Sequence, residues 1–376
     1  MRVALVHDWL TGRRGGELVL EQLVRLFPDA EIFTLLYRSG SVGPPIEERP
    51  IYTSALQAVP GVLRHYRTLL PLMPSALRGL DVRAFELVIS SSHCVAKGVR
   101  VPSGTPHLAY VHSPMRYMWD LFDDYFGPGR ARLPVRLGAR AARPFLQAWD
   151  RRTAGGPDAL VANSHHVAKR LMRFWGRSAD VIHPPVDLAR FGSGAPGRGE
   201  GEYFLWLGAL APYKRVDVAV EAFRRSGRQL WIAGEGQDAR FLRRGLPANI
   251  RWLGAVPDAE VPELYRRARA LVFPGEEDFG ITPLEAMASG RPVLALARGG
   301  ALETVTPSTG VFFDAPTPES LAEALERFET FERTFDPANA RARAAEFSQE
   351  RFRAAVRARI EALLTDRPDL RARLPW

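Results

Sequence analysis

The chain has 376 residues, 46% apolar and 25% charged, a balance that excludes a disordered or fibrous protein and suits two domains of ordinary size. Its single cysteine, Cys94, excludes an internal disulfide and lies in an apolar run, where a buried and inert thiol is expected. The net charge of +9 belongs to the first half: residues 1–195 hold 25 Lys and Arg against 16 Asp and Glu, whereas 196–376 hold 26 of each.

The run RVALVH (2–7) reads as a strand with no leader-like layout before it, and no stretch approaches the roughly 18 apolar residues of a membrane span. A cytoplasmic protein is expected, able to touch the inner membrane face. A turn carrying Gly15 and Gly16 follows, then ELVLEQLVRLF (17–27) with helical apolar spacing. Further strands are expected at 31–36, 86–91, 107–112, 159–164 and 180–185, with Ser164 capping a helix over SHHVAKRLMRFWG. The stretch 127–152 holds seven arginines and one acid, and 56–79 holds three arginines, no acid and many Leu, Met and Pro. Such basic and apolar stretches suit an anionic lipid surface; the competing reading is helices packed on each other in an arginine-rich chain. No DNA-reading or RNA-stacking motif accompanies the charge, so nucleic acid is not expected as a partner.

A Gly/Pro-rich run, GSGAPGRGEG (192–201), reads as a linker, after which a second strand–helix series begins at YFLWLG (203–208). Strands follow at 229–234, 249–254, 270–274, 292–295 and 310–313, with helices at 214–226, 258–269, 283–289 and 318–328. Alternation of this kind predicts parallel sheets covered on both faces, in domains spanning 1–195 and 196–360. The last helix, about 360–376, is expected to pack back on the first domain. A ligand is expected in the crevice facing the strand C-termini.

The stretch FPGEEDFGITPLEAMASGRP (273–292) carries the most chemistry. Thr282, Pro283 and Glu285 have the spacing of a capping box, a complete structural account of Glu285. The same stretch offers a strand end, Gly280 and a helix start, where the free N–H groups of Phe279, Gly280, Ile281 and Thr282 favour an anion. Carboxylates beside a phosphate make sense when they bind hydroxyls farther along the ligand, which describes a nucleotide sugar with Glu277 at one end and Glu285 at the other. Glu276 and Asp278 are expected in solvent. Gly15 and Gly16 would approach a phosphate from the first domain, and Lys214 and Arg215 offer cations to a diphosphate. His7 and Asp8 end a strand and would meet an acceptor, as would Arg116, Tyr117 and Trp119; His112 also ends a strand. Histidine spacing offers no ligand set and Asp123-Asp124 is no DxD clamp, so no metal is expected to be required.

Taken together, EEDFGITPLEAMASGRPVLA, HDWLTGRRGGE, SSHCVAKG, YVHSPMRYMWD, ANSHHVAKRL, VIHPPVD and APYKRVDVAVEAF resemble the retaining glycosyltransferases of family 4. The resemblance implies a GT-B fold, two Rossmann-like α/β/α domains, and is strongest to WbaZ-type mannosyltransferases of O-antigen and exopolysaccharide assembly. It implies that Glu277 contacts the donor hexose, Glu285 the ribose, residues 279–282 with Gly15 and Gly16 the diphosphate, and His112 the donor sugar. Lys214 matches the family's clamp lysine, but Ala209 stands where the family has arginine, and Arg215 is the candidate substitute. The implied donor is GDP-mannose, with UDP-glucose, UDP-galactose and GDP-fucose as alternatives, and the implied acceptor is a polyprenyl-diphosphate-linked saccharide. A nucleotide-sugar 2-epimerase and a non-catalytic nucleotide-sugar-binding subunit remain the rival readings.

Overall fold

The apolar run at the N-terminus becomes a strand with every residue buried, as a strand covered on both faces must be. The computed structural model describes residues 1–192, 201–242 and 245–376, and within them the chain forms two compact units, Met1–Pro184 with Glu350–Trp376, and Pro185–Gln349. The first unit contains β1 (Val3–His7), β2 (Glu31–Thr34), β3 (Ile51–Thr53), β4 (Leu87–Ser92), β5 (His107–Val111), β6 (Ala159–Ala162) and β7 (Asp180–Val181). All pair in parallel, in the order β3-β2-β1-β4-β5-β6-β7. The second unit contains β8 (Tyr203–Leu207), β9 (Leu230–Ala233), β10 (Ile250–Gly254), β11 (Ala268–Phe273), β12 (Val293–Leu296) and β13 (Gly310–Phe313), also parallel, in the order β10-β9-β8-β11-β12-β13.

Both sheets are doubly wound: the strand order runs outward one way from the first strand and then reverses. The reversal leaves a switch point beside β1 and β4 in one unit and beside β8 and β11 in the other. The helices that matter below are α1 (Gly15–Leu26), α2 (Leu133–Thr153), α3 (Val216–Ser226), α4 (Ile281–Ala288) and α5 (Gln349–Leu363). Alternation along each strand divides each core between the two faces of its sheet. Val3 and Leu5 join one cluster and Ala4 and Val6 the other; Leu294 and Leu296 oppose Val293 and Ala295 in the same way.

The chain passes between the units at Pro184–Pro185 and Gln349–Glu350, earlier than the boundaries near 195 and 360 that composition suggests. Val186 and Phe191 are the reason: both are buried in the second unit's core, and Val186 N–H donates to the Phe347 carbonyl at 2.9 Å. After Gln349 the chain belongs to the first unit, where α5 buries Phe352, Val356 and Ile360 against Leu5 and Leu20. The expected linker at 192–201 lies almost wholly outside the described residues. β3 has no counterpart among the sequence expectations, since the three residues Ile51–Thr53 are too few to show a period.

Candidate functional site

In the second unit, β8 and β11 deliver their loops to the switch point. Lys214 follows β8 on the turn Pro212–Lys214, and Glu277 follows β11; Lys214 Nζ lies 2.6 Å from Glu277 Oε1, each side chain about 14% exposed. Glycines hold this pair in place. A Cβ on Gly275 would come within 2.4 Å of the Tyr213 carbonyl oxygen, and one on Gly300 within 2.2 Å of Phe279 Cα. With those Cβ atoms absent, the loop carrying Glu277 packs on backbone from both sides, and Gly300 N–H donates to the Glu277 carbonyl at 2.9 Å. Arg215 adopts φ 49°, and its guanidinium binds the Asp217 carboxylate at 3.0 Å. The candidate substitute for the family arginine is therefore engaged within its own turn.

The capping box does not form. Helix α4 begins at Ile281 with Gly280 as its N-cap and no side-chain cap bond. Gly280 has φ 84°, and a Cβ there would meet the Phe273 ring at 2.6 Å, so only glycine allows this early start. Pro283 then sits within the first turn, where its missing N–H is not needed. Freed from the cap, half-buried Glu285 accepts a hydrogen bond from the Tyr265 hydroxyl at 2.8 Å. Burial raises the Glu285 pKa above the usual carboxylate value, and the Tyr265 bond and the Arg190 charge only partly offset it. Phe279 is a core residue, 2% exposed, so only its backbone is available to a ligand. Asp278, expected in solvent, is buried, while Glu276 is exposed as expected.

In the first unit, the strand ends gather a histidine cluster. His7 ends β1, Ser91 lies in β4, and His112 follows β5; Ser91 Oγ is 3.1 Å from His7 Nδ1 and 2.8 Å from His112 Nε2. Gly16, in the first turn of α1, stands over both rings, its Cβ direction 3.4 Å from His7 Cε1 and 3.7 Å from His112 Nε2. Glu17 Oε1 lies 3.7 Å from His7 Nε2. Burial works to raise the Glu17 pKa, but His7 and His93 outweigh it and hold the carboxylate below its usual range. A serine hydroxyl has one proton, so Ser91 donates to one ring and accepts from the other. The Glu17 charge favours the proton on His7 Nε2, which makes His7 Nδ1 the acceptor and leaves Ser91 Oγ to accept from His112 Nε2–H.

Several residues expected at an acceptor do structural work instead. Asp8 is fully buried, and its two carboxylate oxygens accept from the N–H groups of His93, Cys94, Val95 and Ala96 at 2.6–2.9 Å. It anchors the turn after β4 and has no capacity left for a sugar. His7 is likewise fully buried, behind Ser91. Trp119 donates its indole N–H to Asp150 at 2.8 Å and stacks on Phe174, and the Tyr117 hydroxyl donates to Cys94 Sγ at 2.8 Å. Arg116 is half-buried, near enough to His93 and His112 for its charge to disfavour their protonation. Sequence reading missed Ser91, Glu17 and Tyr265. The polar end of the apolar run LVISSS was the signal for Ser91; nothing local marks Tyr265.

Burial holds the His112 pKa well below 6.5, reinforced by His93, His7 and Arg116, and burial takes His107 down to about 3. Each ring is neutral when folded and takes a proton when unfolded below about pH 6.5. Stability is therefore full above that pH and falls as the pH drops toward the folded values. Lowering the pH from 7 to 5.5 is expected to cost roughly 1 kcal/mol for each of these two histidines. Urea titrations of the wild type and of His107→Gln at both pH values check this, and an unchanged pH slope in the variant would refute it.

Both halves of the chain match family models: Glycosyltransferase Family 4 over residues 13–190 and Glycosyl transferases group 1 over 194–351. By fold and domain composition the chain is of the GT-B glycosyltransferase class, two Rossmann-like units with parallel sheets, and is related to both of those families. It is 29% identical over 189 residues to a D-inositol 3-phosphate glycosyltransferase of Segniliparus rotundus, covering 43% of this chain and 42% of that protein. To the alpha-1,3/1,6-mannosyltransferase alg-2 of Neurospora crassa it is 28% identical over 288 residues, 62% of this chain and 58% of that one. The chain spans about half the length of the curated relatives it matches. Among solved structures, Anabaena HepE in complex with UDP-glucose aligns with a TM-score of 0.69 at 18% identity, over 96% of this chain and 99% of that one.

Proposed function

We propose that the protein transfers a hexose from a nucleotide sugar to a glycan acceptor, with retention at the anomeric carbon. The observation that carries this reading is the Lys214–Glu277 pair at the switch point, beside the uncapped start of α4. A diphosphate fits against the N–H groups of Gly280, Ile281 and Thr282, with Lys214 turning to it from Glu277. Glu277, released, accepts from the hexose hydroxyls. Glu285, oriented by Tyr265 through one oxygen, offers the other to a ribose hydroxyl. His112, neutral and with Nε2 given to Ser91, presents Nδ1 as an acceptor for a sugar hydroxyl, and the Gly15-Gly16 turn offers its backbone to a phosphate. Catalysis then rests on charge stabilisation: leaving-group charge grows on the diphosphate, and the departing phosphate takes the acceptor proton. A metal is not needed for that sequence of events.

The donor we favour is a UDP-hexose, ahead of the GDP-mannose that the motif resemblance suggests, because the HepE structure that aligns over nearly the whole chain holds UDP-glucose. GDP-mannose stays as the second reading, supported by the mannosyltransferase relative, which aligns over 288 residues. The acceptor is a polyprenyl-diphosphate-linked saccharide at the inner membrane face. No described helix is long and apolar enough to cross a membrane. A melting-shift panel of UDP- and GDP-sugars, followed by mass spectrometry of products with a lipid-linked acceptor, tests donor and reaction together. Conversion of donor alone to a new sugar nucleotide would identify an epimerase instead.

Lys214→Ala is expected to weaken nucleoside diphosphate binding about 10- to 100-fold, the worth of a charge-assisted hydrogen bond, while leaving the nucleoside almost unaffected. Calorimetry with UDP and uridine checks it. Equal affinities of variant and wild type for UDP would remove Lys214 from the clamp.

A further inference from the structure

The two arginine-rich stretches of the first unit meet at a cavity of about 320 Å³ that the reaction does not use. Arg78, Arg100 and Arg152 line it, all exposed, and Trp149 forms its buried floor. Gly98 makes room for that floor, since a Cβ there would lie 2.6 Å from the Trp149 ring. Most of the described arginines have carboxylate or carbonyl partners, but no described acidic side chain pairs with these three. The surrounding sequence offers none: 56–79 has no acid, and the single acid of 127–152, Asp150, is buried against Lys97.

Helix α2 runs to this cavity with an uncovered apolar row. Leu133, Leu137, Ala141 and Phe145 follow at four-residue steps, then Ala148 and Arg152 at three and four more, which places all six on one side. Leu133, Leu137 and Phe145 are 61%, 58% and 54% exposed, high values for large apolar side chains. The row therefore begins in exposed leucine and ends in the arginine that rims the cavity. An apolar stripe leading to a positive, acid-free pocket is the chemistry of a helix lying in a lipid interface, with a phosphate seated at one end.

We propose that this face docks on an anionic phospholipid bilayer, the α2 row entering the interface and the Arg78–Arg100–Arg152 cavity holding one lipid phosphate. The inference deepens the proposed use of a lipid-linked acceptor by placing the surface that brings the enzyme to it.

Co-sedimentation of the full chain with phosphatidylcholine vesicles, with and without phosphatidylglycerol, tests it. Wild type is expected to bind only the anionic vesicles, and less as salt rises. The triple variant Arg78→Gln, Arg100→Gln, Arg152→Gln is expected to partition on the order of 10²-fold more weakly, about fivefold per arginine. Leu137→Ser with Phe145→Ser should also weaken binding, without a change in melting temperature because both positions face solvent. Equal binding of wild type and triple variant, or no preference for phosphatidylglycerol, overturns the proposal. Binding of inorganic phosphate to the cavity by calorimetry, without vesicle association, overturns the lipid assignment in favour of a free anion. Sedimentation showing a dimer that the Leu137 and Phe145 variants dissociate overturns it in favour of a second copy. Water-dependent hydrolysis of the nucleotide sugar by wild type and variants, measured without vesicles, separates this result from the transfer reading.

Discussion

Glu277→Gln is expected to lower kcat about 10²- to 10³-fold while leaving UDP affinity unchanged or tighter. The sign of the second effect follows from the ion pair. Lys214 Nζ lies 2.6 Å from Glu277 Oε1, so a diphosphate must take the lysine from its carboxylate before the clamp closes. Glutamine removes that competitor without changing the side chain's length. Turnover falls for a separate reason: a carboxylate accepting from the hexose hydroxyls fixes the ring and stabilises positive charge growing at the anomeric carbon, and a neutral amide does both less well. Single-turnover kinetics and UDP titration of the same preparation read the two effects separately. If kcat and UDP affinity fall together, Glu277 serves only to hold the loop and the proposed role fails.

The sequence carries much of this arrangement, and the reasons for its gaps are physical. Long apolar runs such as RVALVH and YFLWLG read as strands because burial on both faces leaves no other composition, and strand–helix alternation then leads to parallel sheets. The stretch from Glu277 to Glu285 points to the loop after β11 because it joins acids and a glycine to a helix start, where free N–H groups favour an anion. What cannot be read is long-range. Asp8 looks like an exposed strand-end acid until β4 brings four N–H groups to it from residues 93–96. The capping box fails because φ 84° at Gly280 starts α4 earlier, and no local pattern announces a backbone angle. Trp119 looks like an aromatic lip to an acceptor site, yet its partner, Asp150, is 31 residues away.

That partner is the centre of a buried polar network in the first unit. Asp150 is fully buried; one carboxylate oxygen accepts from the indoles of Trp119 and Trp175, both at 2.8 Å, and the other lies 2.9 Å from Lys97 Nζ. Lys97 is 1% exposed, donates also to Thr153 Oγ1 at 2.9 Å, and lies 4.5 Å from the centre of the Trp175 ring. Asp150→Ala strands a buried cation and two indole donors at once, and is expected to cost about 3–5 kcal/mol, or on the order of 10 °C in Tm. Asp150→Asn keeps an acceptor for the indoles but not the charge, and should fall between. Lys97→Met in the Asp150→Asn background removes the stranded cation, so the double variant should recover part of the loss, a coupling that a packing role for either side chain alone would not give. The consequence reaches the histidine cluster. Trp119 lies in the turn that follows His112 and carries Arg116, so loosening this network should open the ring to water and lift the His112 pKa, which burial depresses most and the Arg116 charge only secondarily. Urea melts of the three variants, with the His112 titration followed by NMR, decide it: additive losses with an unmoved histidine would leave Asp150 a local packing residue.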